Sequence, residues 1–169
     1  MDIRHLFERH YPGLVWYLQG KLGDRDLAED LAQEAFVRLL EHAPRSPEAW
    51  LYVVAGNLAR DAQRGAVRRG RHLVLNEGED AADPTPSPDA KMCDAEQAAL
   101  VQKTLFELSD RDAALLVMRA EDVSYREIAI AIGVSPTSVG PLLARAQQRF
   151  IRALGKSTDR GSRDARASS

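Results

Sequence analysis

A stretch near the middle of the chain limits the fold most, because it cannot build a core. Asn76-Glu77-Gly78-Glu79-Asp80 and Asp83-Pro84-Thr85-Pro86-Ser87-Pro88 combine acids and prolines with few apolar groups. Such a segment buries too little surface to offset the entropy of ordering it, and its prolines keep it extended. A chain of 169 residues interrupted there must assemble its core from two short flanks. Both flanks carry the 3.6-residue apolar period of amphipathic helices, and neither shows the alternation of a half-buried strand. The expected architecture is therefore all-α, with two small helical domains on a flexible acidic linker. The boundaries read as a first domain over 1–69, a linker over 70–93, a second domain over 94–154 and a disordered polar tail over 155–169.

Within the first domain, residues 3–20 are helical in pattern, with a restart or bend expected at Pro12, where the backbone cannot donate. A helix over 27–41 places Leu27, Leu31, Ala32, Ala35, Phe36 and Leu39 on one arc. Asp24 or Asp26 can cap it, and Pro44 and Pro47 lie beyond its end. A third, from Glu48 to about Arg64, aligns Trp50, Leu51, Val54, Leu58 and Ala62. After the linker come helical patterns over 94–108, 110–120, 124–132 and 136–154. Only 6% of the residues are aromatic, so Leu, Ala, Val and Ile must supply most of the core.

Net charge is −2, which by itself decides nothing about partners. Its distribution is more informative. Arg60, Arg64, Arg68, Arg69 and Arg71 form a basic block, Glu77 to Asp89 an acidic one, and Arg145, Arg149, Arg152 and Lys156 a second basic one. One cysteine, Cys93, permits no intrachain disulfide, which suits a reducing compartment. The first residues show no secretory pattern and no apolar run is long enough for a bilayer, so a cytoplasmic protein with no membrane partner is expected. His5, His10, His42 and His72 have no paired ligand spacing, and Glu29, Asp30 and Glu34 lack a Glu-x-x-His companion. No catalytic residue, metal or cofactor is expected, and the chain is read as a non-enzyme.

The strongest local pattern runs from Tyr125 to Val139. Ala129 is small where two helices must approach, Gly133 can take the positive φ that ends the first helix, and Val139 anchors the second. Ile128, Ile132 and Val134 complete the wedge. Ser135 is a good N-cap and Pro136 suits the first helical position. This is the spacing of a helix-turn-helix, whose second helix enters the DNA major groove. An ordinary αα-hairpin uses the same turn, but turn, cap and apolar spacing agree here. On the second helix Val139, Leu143, Ala146, Phe150 and Leu154 form the core face. Thr137, Ser138, Arg145, Gln148 and Arg149 lie on or beside the opposite one, suited to phosphates and base edges.

Two further faces carry chemistry. Asp30, Gln33, Glu34 and Val37 lie opposite the core of the 27–41 helix, an acidic strip around one valine that would suit a basic partner helix. In the next helix Asn57 can bond a base edge, Arg60, Arg64 and Arg68 can track phosphates, and Gly56 lets a backbone come near. Trp50 is read as core, and Tyr52, nearer the exposed side, as a candidate stacking platform for an unpaired base.

In this order, over residues 4–154, the pieces resemble the extracytoplasmic-function sigma factors of the sigma-70 family. Asp30-Leu31-Ala32-Gln33-Glu34-Ala35-Phe36 is similar to the family's region 2.2 signature, and Trp50 to Asp61 to regions 2.3 and 2.4. The resemblance implies that Asp30, Gln33, Glu34 and Val37 dock on the β′ clamp helices of core RNA polymerase. It implies that Asn57, Arg60, Arg64, Arg68 and Tyr52 melt and read the −10 promoter element, Asn57 beside a flipped base. Residues 105–154 look like region 4, which reads −35 DNA and contacts the β flap. An anti-sigma factor is a candidate further partner. Two departures stand out: Gly56, where relatives are often basic, and Gly140-Pro141, where a basic and a small polar residue are usual. An interior proline costs about 3 kcal/mol, so a kink or a separate turn over 136–140 is expected, with −35 contacts weighted toward phosphates.

The rival reading is a helix-turn-helix regulator that does not join polymerase. It leaves the Asp30/Gln33/Glu34 face and the arginine block without a use.

Overall fold

The structure, a computed structural model, describes residues 2–70 and 88–167, with side-chain surroundings over 2–70 and 94–157. The described residues are helices and short connections. The first unit holds α1 (Ile3–Leu22), α2 (Arg25–His42) and α3 (Pro47–Arg68). The second holds α4 (Pro88–Phe106), α5 (Asp110–Ala120), α6 (Tyr125–Ile132) and α7 (Pro136–Ala167).

Local chemistry sets these limits. Asp2 caps α1 through Arg4 and His5 N–H, and Gly23 closes it at φ 69°, donating to the Gln19 carbonyl. Asp24, one of the two expected caps, accepts from the Leu27 N–H at 3.0 Å. Pro47 opens α3 at its first turn, where its missing N–H has no partner to lose. Pro12 does not break α1, which runs through it.

Two other expectations are revised. Helix α4 starts at Pro88, inside the segment read as linker to residue 93; proline is tolerated at a helix start and Ala90-Lys91-Met92 favour continuation. The rest of the linker reading, over 71–87, lies outside the described residues. Helix α7 continues to Ala167 although 155–169 was read as a disordered tail. No proline follows Pro141 to stop it, and the Ser157 hydroxyl bonds back to the Ala153 carbonyl at 3.1 Å.

Buried apolar side chains of all seven described helices form one continuous core, from Leu14, Leu18, Phe36 and Leu51 in the first unit to Leu105, Leu115, Ile128 and Val139 in the second. The two units are therefore packed together. Helix α1 meets α4, and α3 meets α5 and α6.

Candidate nucleic-acid interface

On α2 the core takes Ala28, Ala32, Ala35, Phe36 and Leu39, which turns Asp30, Gln33 and Val37 to solvent and leaves Glu34 half-buried. The four expected docking residues thus share one side. Glu34 is held by Arg38, whose Nε donates to it at 2.8 Å; such an exposed i,i+4 pair contributes only about 0.3–0.5 kcal/mol and yields readily to a partner. Sequence reading missed Leu40, which is 59% exposed beside Val37 at 51%. The signal was the Leu39-Leu40 pair, since adjacent helical positions cannot both face one core.

On α3 Asn57, Arg64 and Arg68 are exposed and Arg60 partly so. Their spacing gathers them along one side of the helix. The Asn57 side-chain oxygen accepts from Arg60 Nη1 at 3.3 Å. Arg60 also reaches α5, donating through Nε and Nη2 to Asp110 Oδ2 at 3.3 and 3.2 Å. The other Asp110 oxygen accepts from Lys21 Nζ of α1 at 2.6 Å. Burial would push the Asp110 carboxyl up, but the hydrogen bonds and charges of Lys21 and Arg60 outweigh it and hold it below its ordinary value.

Tyr52 requires correction. It is fully buried, edge-on to Tyr17 and His10 at ring separations of 6.1 Å, and no base can stack on it as placed. Burial, with Glu121 and Glu48 nearby, raises its phenol above the ordinary range. Gly56 is likewise buried, and its close approach is to α1: an added Cβ would lie 3.1 Å from the Tyr17 hydroxyl. Trp50 packs partly buried against the core, as read.

The helix-turn-helix geometry follows its sequence. Gly133 sits at φ 71°, and its N–H and that of Val134 both reach the Ala129 carbonyl. Ser124 and Glu127 form a reciprocal capping box at the start of α6, legible as Ser-x-x-Glu but not anticipated. Ser135 gathers the hydroxyls of Thr137 and Ser138 at 3.0 and 2.8 Å, so the outward end of α7 opens with three hydroxyl groups. Arg145 and Gln148 are exposed. Arg149 is also exposed but donates to Asp112 at 2.6 Å, a carboxylate only 8% exposed, and so ties α7 to α5. Pro141 lies inside a helix that begins at Pro136, so 136–140 is not a separate turn.

Among the described residues no group of three or more His, Cys, Asp or Glu is placed to hold a metal ion. No single described helix is long and apolar enough to cross a membrane.

A three-helix unit with an acidic-apolar face and an arginine face, followed by a helix-turn-helix, defines a sigma-70-type promoter-specificity subunit. The sequence matches the family descriptions of Sigma-70 region 2 over residues 6–69 and Sigma-70 region 4 over residues 98–149. It is 31% identical over 160 residues to the ECF RNA polymerase sigma factor ShbA of Streptomyces griseus, covering 86% of this chain and 83% of that one. It is 25% identical to the RNA polymerase sigma factor YlaC of Bacillus subtilis, covering 94% and 95%. It is 27% identical to the ferric citrate uptake sigma factor FecI of Escherichia coli, covering 89% and 90%. The chain belongs to the extracytoplasmic-function sigma factors of the sigma-70 family. Its function is that of a sigma factor, binding core RNA polymerase and directing promoter recognition, melting and initiation; the regulator reading is set aside.

Proposed function

We propose that the two exposed faces of the first unit divide this work. Asp30, Gln33, Glu34 and Val37, joined by Leu40, dock on the β′ clamp helices. Asn57, Arg60, Arg64 and Arg68 engage the −10 strand, while Thr137, Ser138, Arg145, Gln148 and Arg149 meet the −35 duplex. Residues 105–154 also contact the β flap. An anti-sigma factor is a further candidate partner, and a reducing cytoplasm is the setting. The polymerase supplies the catalytic centre. One observation carries the reading: α2 and α3 turn chemically opposite side chains to solvent, acidic-apolar on one and amide-arginine on the other. A cationic protein surface suits the first and a nucleic-acid strand the second.

The test pairs two variants in one reconstituted system. Glu34→Lys should weaken binding to core polymerase about 30-fold or more, since losing a charge partner at an interface costs roughly 2–5 kcal/mol. Asn57→Ala should bind core like the parent yet show a weaker permanganate footprint over the promoter bubble. Unchanged core affinity for Glu34→Lys, with helicity intact, overturns the docking face; normal melting by Asn57→Ala overturns the −10 assignment.

A further inference from the structure

The second unit encloses a carboxylate beside its outward basic side. Asp112 of α5 has a side chain only 8% exposed. The start of that helix sets its place, because its N–H donates to the Ser109 hydroxyl at 3.2 Å. A buried carboxylate needs a cationic partner. Arg149 of α7 supplies it, Nη1 donating to Asp112 Oδ2 at 2.6 Å. The arginine itself is not enclosed: its side chain is 57% exposed. A guanidinium carries five N–H donors in a rigid plane, so one pairing leaves most of them free. Arg149 also lines a cleft of about 310 Å³ that it shares with Glu107, Arg152, Lys156 and Ser157. Arg152 and Lys156 are exposed there, which gives the cleft an excess of positive charge.

We propose that Asp112 is a positioning residue for promoter reading: it fixes Arg149 in one orientation, and the free edge of the guanidinium takes one backbone phosphate beside the −35 groove. The inference rests on the assignment of α7 to the −35 duplex. Three arguments support it. The first is position. Arg149 stands three turns beyond Ser138 on the same side of α7, about 16 Å along the axis at 1.5 Å per residue. The major groove is about 12 Å wide. With the hydroxyl end of α7 at base edges, Arg149 lies outside the groove, level with the flanking phosphates. The second is the fork itself. A planar guanidinium can hold a carboxylate along one edge and a phosphate along another, and a side chain already tethered loses less freedom on binding. The third is that a strut is not needed here. Buried Leu115 and Met118 of α5 and Val139, Leu143 and Ala146 of α7 already close that part of the unit, and an ion pair adds little to such a joint.

The test reconstitutes the full chain with core polymerase. It scans a −35 duplex, selected by that holoenzyme from a random pool, with single methylphosphonates that remove one phosphate charge at a time. With the parent, one flanking substitution should weaken binding about tenfold, the worth of a charged hydrogen bond, and its neighbours much less. Asp112→Asn keeps the side-chain shape and removes the tether charge. It should bind several-fold more weakly and lose that one-phosphate signature, with helicity intact. A parent-like scan from Asp112→Asn makes Asp112 a strut and overturns the proposal. Tighter binding makes it a charge that only opposes DNA, which also overturns it. Arg149→Lys is the second variant, because a single ammonium can keep the tie to Asp112 but has no second edge. It should melt like the parent and lose the signature; a parent-like scan from it overturns the two-edge geometry. Arg149→Ala tests the underlying reading separately. If it leaves both affinity and scan unchanged, Arg149 does not meet −35 DNA, and the role of Asp112 falls with that assignment.

Discussion

His10 is an imidazole sealed at the contact between the units, fully buried and with neither ring nitrogen hydrogen-bonded. Glu48 of α3 lies 3.6 Å from Nε2 and Glu121, at the end of α5, 3.9 Å from Nδ1; Tyr52 stands edge-on. Burial lowers its pKa, the two carboxylates work against that, Arg9 adds to it, and the net direction is below the ordinary 6.5. A depressed pKa means the packed state holds fewer protons than the unfolded or separated one. Its stabilising contribution is thus complete above pH 6.5 and is lost as pH falls through the lower, packed-state value. Thermal stability of the full chain should fall between about pH 7 and pH 5, and His10→Gln should flatten that part of the profile; an unaltered slope removes His10 as the cause. Pattern alone misplaced Tyr52 and gave no placement for His10. A helical wheel of α3 does not show that α1 supplies the rings that enclose Tyr52, nor that Glu121, far along the chain, comes to face His10.

Helices themselves were more legible. The limits of α5 matched their pattern, and those of α2, α3 and α6 differed by a few residues, because caps and prolines act within a turn. The misplaced ends, of α4 at Pro88 and α7 at Ala167, fall where sequence offers only weak propensity and no stop. Helix α7 also carries Gly140 and Pro141 without interruption. Pro141 leaves the Thr137 carbonyl without its usual donor, and Gly140 adds backbone freedom that folding must remove. An added Cβ at Gly140 would rest in ordinary contact, 3.8 Å from the Tyr125 ring, but it would also meet the Pro141 ring, which disfavours a helical conformation for a residue with a Cβ before it. Pro141→Ala removes that restriction and restores the missing donor, and should stabilise the helix by up to about 3 kcal/mol, seen as a rise in the melting temperature. An unchanged melting temperature would mean that the packing of α7 already accommodates the proline at little cost.

At the scale of the molecule, the order of the exposed faces was readable from the sequence, because each face and the helix-turn-helix is encoded within a single helix or turn. The packing of one unit on the other was not. It depends on single residues, Gly20, Lys21, Phe106 and Asp110, whose local patterns give no hint of partners 86–89 positions away. Gly20 offers a probe of that packing that leaves charge untouched. In the interior of α1, alanine is favoured over glycine by about 1 kcal/mol, so within the first unit alone Gly20→Ala should be neutral or stabilising. In the closed chain the new methyl meets the Phe106 ring, which is hemmed in by Trp16 and Tyr17. The two effects oppose each other, and an approach as close as 1.9 Å outweighs a gain in propensity. Gly20→Ala should keep its helicity, lengthen the distance between labels on the two units, and turn one cooperative melt into two. A Gly20→Ala chain that stays compact and melts in one step would show that Phe106 can swing aside at little cost, and that the charged contacts around Asp110 alone hold the units together.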